Sequence, residues 1–140
     1  MRTMGIDYGD ARTGIAVSDA AGFLASPVCV IKERTFEEVI KKAAGLAAEH
    51  SVGQIVVGYP KNMNGTIGAR AEKSQLFAKE LEATAGVPVK LWDERCTTMS
   101  AAVYLNATDT HGKKRKNVID AAAATIILQD FLDFQKNTNR

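Results

Sequence analysis

The chain has 140 residues, 46% hydrophobic and 24% charged, the balance of a globular chain long enough to bury a core rather than of a disordered one. Its net charge of +2 implies no partner by itself. Two cysteines outside any CxxC pattern exclude a disulfide scaffold, no apolar run approaches the roughly 20 residues of a membrane span, and Asp7 interrupts the first apolar stretch, so neither a signal peptide nor a membrane partner fits and a cytoplasmic protein is predicted.

Met4 to Tyr8 reads as a strand. Asp10-Ala11-Arg12 turns into a second strand over Gly14 to Ser18, and Asp19 to Gly22 turns into a third over Val28 to Ile31. Such short connections predict an antiparallel meander. Thr35 is placed to cap a helix whose apolar stripe is Val39, Ile40, Ala43, Ala44 and Ala47. Gln54 to Val57 is wholly apolar after its first residue, the mark of a buried parallel strand. A helix follows from about Thr66 to Ala85, with Ala69, Leu76, Phe77 and Leu81 inward and Gly86 as its stop. Val87 to Trp92 is the fifth strand. Thr97 caps a helix to about Asn106, a polar loop covers Ala107 to Lys116, and Asn117 caps a last helix to about Phe134. The order βββαβαβαα, without repeat or long linker, predicts one α/β domain over residues 1–140.

Three acids stand out at element ends. Asp7 shares its strand face with Gly5 and Gly9, which leaves room for a cation or a phosphate to approach. Turn chemistry accounts for Asp10 but not for Asp7, which precedes the turn. Asp93-Glu94 closes another strand, and alternation lets only one of the pair face Asp7; Glu94 is the preferred one and Asp93 the alternative. Asp120 opens a helix rich in small residues (Ala121 to Ala124) that can lie close on the sheet, with Ile119, Ala123 and Ile126 packing. A first-turn acid also suits the helix dipole, so its position alone decides nothing. Clustered carboxylates suit a hard divalent cation, Mg²⁺ or Mn²⁺, with oxygen ligands at about 2.0–2.5 Å. The loop from Val57 to Thr66 follows a buried parallel strand, where α/β ligand sites gather, and Arg70 and Lys73 lie just beyond it. Lys113, Lys114, Arg115 and Lys116 form a basic run directly before Asp120, suited to a polyanion or to a solvated loop. His50 and His111 flank no cysteine and make no zinc pattern.

Four short motifs occur in order: Asp7-Tyr8-Gly9 with Arg12 and Gly14; Val57-Gly58-Tyr59-Pro60 with Asn62, Met63 and Gly65; Asp93-Glu94-Arg95 with Thr97-Thr98; and Arg115-Lys116 with Ile119-Asp120 and Ala123-Ala124. Together they resemble the YqgF family of Holliday-junction-resolvase-like proteins, also described as candidate pre-16S ribosomal RNA nucleases. The resemblance covers essentially the whole chain. It implies a ribonuclease-H-like fold, a five-stranded mixed sheet flanked by helices, in agreement with the element order. It also implies that Asp7, Glu94 and Asp120 are the catalytic and metal-binding acids. The chain departs from the family at Ala11, frequently basic; at Tyr59, commonly Leu; and at Cys96, commonly Leu or Met. The strand before Tyr59 carries no acid, so Glu94 on the next strand substitutes for the acid many relatives of this fold place there.

The function so implied is metal-dependent hydrolysis of phosphodiesters in structured nucleic acid, precursor rRNA or branched DNA, with two ions about 3.5–4 Å apart. Arg12, Arg70, Lys73 and the run Lys113 to Lys116 are the expected phosphate contacts, with Arg95 a weaker one. Resolving a symmetric junction needs two active sites, so a homodimer is expected on that substrate and a monomer otherwise. A non-catalytic ribosomal RNA binding module keeps the basic surface without the chemistry, and a metal titration separates it from the nuclease. An actin-like phosphotransferase also begins with an Asp-x-Gly loop, but needs two such domains.

Overall fold

A computed structural model describes residues 1–59, 68–93 and 112–138; for 69, 112–120 and 137–138 only the backbone is described. The elements are β1 (Arg2–Asp7), β2 (Arg12–Ser18), β3 (Ala25–Lys32), α1 (Phe36–Glu49), β4 (Val52–Tyr59), α2 (Ala69–Ala85), β5 (Val89–Asp93) and α3 (Gly112–Thr138). The strands form a five-stranded sheet in the order β3-β2-β1-β4-β5. β1 pairs antiparallel with β2, and β2 with β3, which is the predicted meander; β1 and β4, then β4 and β5, pair in parallel. The predicted helix over Thr97 to Asn106 lies outside the described residues.

Strand alternation gives the sheet two different faces. One face presents Met4, Ile6, Ile15, Ile55 and Val57 to Val39, Ile40 and Ala43 of α1 and to Phe77 and Leu81 of α2. The other presents Ala16 and Val56 to Ala124, Ile127, Leu128, Phe131 and Leu132 of α3. The second face is built for close approach. A Cβ placed on Gly5 would lie 2.6 Å from the Leu128 Cβ and 2.8 Å from the Ala124 carbonyl oxygen. Polar side chains set the helix's position along the sheet. Gln129 accepts from the Ala25 amide at 2.9 Å and donates to the Phe23 carbonyl at 2.9 Å. Buried Gln54 donates to Thr3 at 3.0 Å and to Gln135 at 3.3 Å. Gly5 thus meets the middle of α3 and Thr3 lies toward its C-terminal end, so α3 runs antiparallel to β1.

Some expectations are corrected. The basic run Lys113 to Lys116 belongs to α3 and not to a loop, because Lys and Arg are good helix formers and the single cap signal at Asn117 does not outweigh them. Leu76 is 51% exposed, whereas Phe77 and Leu81 are fully buried; the inward row of α2 is Ala71, Ser74, Phe77, Ala78 and Leu81, about 100° away. On α3, Ile126 is buried but Ala123 is only half-buried, beside a buried row that includes Ala121, Ala122 and Ala124. Thr35 is the N-cap residue of α1 but makes no side-chain cap hydrogen bond. Glu33 meets that end instead, its Oε1 accepting from the amides of Arg34 at 3.1 Å and Thr35 at 3.4 Å. Gly86 ends α2 in the left-handed conformation, φ 73°, as its sequence position predicts.

Gly5→Ala should lower stability by about 1–3 kcal/mol, because the added methyl meets backbone as well as side chain. Gly45→Ala, at an exposed position of α1 with nothing within 4 Å of the new Cβ, should raise it by about 0.5–1 kcal/mol. Urea midpoints moving in the same direction in the two variants would contradict the packing described.

Candidate active site

The parallel strands β1, β4 and β5 finish at one end of the sheet. Ile6 pairs with Val57, Gly58 with Trp92, and Tyr59 with Asp93. The β1–β2 turn lies at the same end, where Asp7 pairs with Gly14. Asp7 is the last residue of β1 and half-buried. Alternation from Gly5 puts it on the α3 face.

The same alternation separates the two acids at the end of β5. Trp92 packs on the α3 side, against Phe131 at 6.0 Å and Phe134 at 5.4 Å between ring centroids. Asp93 therefore falls on the opposite face with its partner Tyr59, which is buried and accepts a hydrogen bond from Gln75 of α2 at 2.8 Å. So Asp93 and Asp7 point to opposite sides of the sheet. Glu94 lies outside the described residues, as do Arg95 and most of the Val57–Thr66 loop. Asp120 lies in α3, one turn before Ala124, and its side chain is not among those described. Among the described residues no three His, Cys, Asp or Glu side chains gather. Asp7 is the described member of the expected triad.

The basic candidates divide between the two faces. Arg12 opens β2, half-buried, beside the Gly9 turn; a Cβ on Gly9 would collide with the Arg12 carbonyl oxygen, so glycine is required there by close approach. Arg70 is exposed in the first turn of α2. Lys73, one turn on, pairs with Asp10 at 3.4 Å, with both side chains largely in solvent. That ion pair ties the start of α2 to the β1–β2 turn, and no local signal in the sequence announces a contact 63 residues apart. Behind it Tyr8 stacks on Phe77 at 4.3 Å and 13°, and Phe36 packs edge-on to both. This cluster anchors the residue next to Asp7. The Tyr8 hydroxyl's pKa is raised, first by burial and then by the Asp10 charge, while Lys73 opposes the rise. Cys29 is half-buried on β3, and Cys96 lies outside the described residues.

Known proteins share both this sequence and this architecture. The model of a family described as "RuvX: Holliday junction resolvase" matches residues 1–134. A Halothermothrix orenii protein is 47% identical over 135 residues, covering 96% of each chain. A Bacillus subtilis protein is 47% identical over 135 residues, covering 95% of this chain and 98% of its own. Both are provisionally named pre-16S rRNA nucleases. RuvC of T. thermophilus, solved with a Holliday junction substrate, aligns over 99% of this chain and 97% of its own with a TM-score of 0.66 at 14% identity. The Fowlpox virus resolvase, solved with junction DNA, covers 96% of this chain and 99% of its own with a TM-score of 0.61 at 10% identity. At such identities the likeness is one of fold, and it bears out the ribonuclease-H-like architecture.

The raised Tyr8 pKa has a definite sign. The neutral phenol is favoured in the folded chain, so its contribution to stability is complete below the ordinary value of about 10 and is lost as pH rises through the higher folded value. Tyr8→Phe should therefore lose less stability between about pH 9 and pH 11 than the unsubstituted chain. Parallel losses of urea midpoint in the two proteins would remove Tyr8 from the alkaline transition.

Proposed function

We propose a divalent-metal-dependent nuclease that hydrolyses phosphodiester bonds of structured nucleic acid: the chain belongs to the RuvX family, in keeping with the resemblance carried by its four motifs. The observation that carries the reading furthest is the placement of Asp7. It ends a buried central strand, on the face against α3, at the sheet end where three parallel strands finish.

The register of α3 supports adding Asp120. Positions 120, 124 and 128 form one row at i, i+4 spacing, and Ala124 and Leu128 are the residues that meet Gly5. One turn back along the helix and two residues on along the strand are similar distances, about 6 and 7 Å, and α3 runs antiparallel to β1. The row therefore brings position 120 toward Asp7. At the end of β5, Asp93 occupies the face away from Asp7, which favours Glu94, the next residue in sequence, as the acid expected there. Asp7, Glu94 and Asp120 would hold Mg²⁺ or Mn²⁺, and the fit rests on donor chemistry: Asp7 offers hard carboxylate oxygens at the end of β1, whereas the glycines beside it serve close packing and not an opening for the ion. A metal bound there supplies an acidified water and charge compensation at the leaving oxygen. The acids' own task is to orient that charge. Arg12 and the cations of α3 hold the phosphodiester against it, and the substrate we propose is precursor 16S rRNA, the activity named for the relatives at 47% identity. Branched DNA is the second reading, favoured by the description of the family model. We propose that the domain spans the whole chain.

Folding the basic run into a helix changes which cations can serve. Consecutive helical residues turn by about 100°, so the run cannot face one way. Lys113 and Lys116 fall on the side of position 120, whereas Lys114 and Arg115 turn away from it. Cleavage of labelled precursor rRNA and junction DNA, side by side with Mg²⁺, Mn²⁺ and chelator, tests the function. We expect metal-dependent cleavage, lost in Asp7→Asn by about 10²–10³-fold or more, the scale of removing one transition-state stabilising group. Apo stability of that variant should be unchanged or slightly raised, since clustered carboxylates repel when no metal is bound. Full activity in Asp7→Asn would overturn the assignment, and binding without cleavage under every metal would favour the non-catalytic module. Neutralising Lys113 and Lys116 should reduce the slope of log K against log salt by about 0.7–0.9 per contact, and more than neutralising Lys114 and Arg115. Equal effects of the two pairs would refute the helical placement.

A further inference from the structure

Lys32 and Arg34 lie at the same end of the sheet as Asp7, on its free β3 edge. β3 runs parallel to β1, so its last residue, Lys32, falls at the end where β1 finishes, paired with Arg12. Ile31 is buried in the core against α1, so alternation turns Lys32 and its partner Arg12 toward the other face, that of Asp7. Lys32 is two strand spacings from β1, roughly 9–10 Å, and two residues beyond the level of Asp7, roughly 7 Å. Arg34 continues the chain past the strand. Both side chains are exposed.

The nearby acids are engaged elsewhere. Glu33, between the two cations, turns toward α1: its Oε1 accepts from the Arg34 and Thr35 amides, and its Oε2 pairs with Lys42 of α1 at 3.4 Å. Those contacts hold its carboxyl below the usual range, led by the Thr35 amide, so it stays ionised and committed to the helix start. Asp10 is paired with Lys73 of α2 at 3.4 Å. Both acids are thus matched by lysines of α1 and α2, and the side chains of Lys32 and Arg34 have no acid partner among the described residues. Lys32 beside Arg12, with Arg34 two residues further along the chain, makes a positive edge, and phosphate contacts are what exposed cations contribute to nucleic-acid binding.

We propose that Lys32 and Arg34 form a phosphate-binding track that carries the nucleic-acid backbone away from Asp7 across the β2–β3 edge. The track rests on the nuclease reading for its substrate class, but it is a binding surface and does not need the chemistry. It assigns the substrate a length: the backbone must extend past the reacting phosphate on the β3 side.

The test measures binding without cleavage, with chelator present, on a labelled RNA duplex across a range of salt. Lys32→Gln with Arg34→Gln should lower the salt slope by about 1.8, the value for two contacts on duplex, and by about 1.4 on a single strand. Lys41→Gln with Lys79→Gln removes the same net charge from exposed positions of α1 and α2 and should leave the slope in place. Unaltered urea midpoints in both variants would show that the fold is intact. Equal slope losses in the two variants would reduce the effect to net charge and overturn the track, as would no loss in either. An unsubstituted chain that binds no nucleic acid would sink the parent reading together with this one. Normal binding that never cleaves under any metal would sink the nuclease alone.

Discussion

The close approach of α3 to β1 at Gly5 is the contact on which the rest of the site depends. A strand and a helix meet here with almost no side chain between them, since the missing Cβ is replaced by the Leu128 side chain and the Ala124 carbonyl. Close packing transmits position: interiors at crystal-like density cannot slide by half a turn without opening a cavity or a clash. The lateral position of α3 is therefore set by a glycine, and its position along the sheet by the hydrogen bonds of Gln129 and Gln135. Small residues serve here as a positioning device. The row of helix positions through Ala124 and Leu128 is also the row of position 120, so the packing that stabilises the helix is the packing that aims it.

The two faces of the sheet divide the labour. The face toward α1 and α2 holds the large aliphatic and aromatic core, including Phe77 with Tyr8 stacked on it. It also holds the neutralised charges, in the pairs Asp10–Lys73 and Glu33–Lys42. The face toward α3 carries Asp7 and, at its edge, Arg12 and Lys32. A surface pair such as Lys73–Asp10 contributes little stability, on the order of 0–1 kcal/mol. Its consequence is electrostatic: it keeps a carboxylate and a lysine of α2 occupied with each other on the side away from Asp7. A site that must hold a cation and a polyanion together is helped when neighbouring charges are matched behind it.

The substrate geometry follows from the same division. Arg12 and Lys32 lie on the face that carries Asp7, and on the proposed reading Lys113 and Lys116 of α3 add to them. Phosphate contacts of this kind set register and orientation on a nucleic acid without reading its sequence. Structured nucleic acid, defined by the course of its backbone, is the substrate such a surface suits.

Among the described residues, the sequence by itself determined the elements and their order, because period-2 and period-3.6 patterns report which face of a segment is buried whatever its partner. It also pointed to Asp7, a carboxylate that ends an apolar strand before its turn; that the glycines on either side serve close packing, Gly5 against α3 and Gly9 against the Arg12 carbonyl, came only with the structure. Where signals were local, as with the left-handed stop at Gly86, they were legible to the residue. Where two local tendencies compete, as between the Asn117 cap and the helix propensity of Lys113 to Lys116, local sequence does not rank them, and the propensity prevails in the fold. The exposure of Leu76 is not legible in the sequence, because the phase of an inward row depends on the surface it meets, which here is Tyr8 and the α1 helix. The tertiary structure alone decided that Asp93 faces away from Asp7, because the side on which a strand's residues fall is set by its register with β4. It alone joined Asp10 to Lys73 and Gly5 to Leu128, contacts whose partners are remote along the chain and which arise only when the whole sheet is assembled.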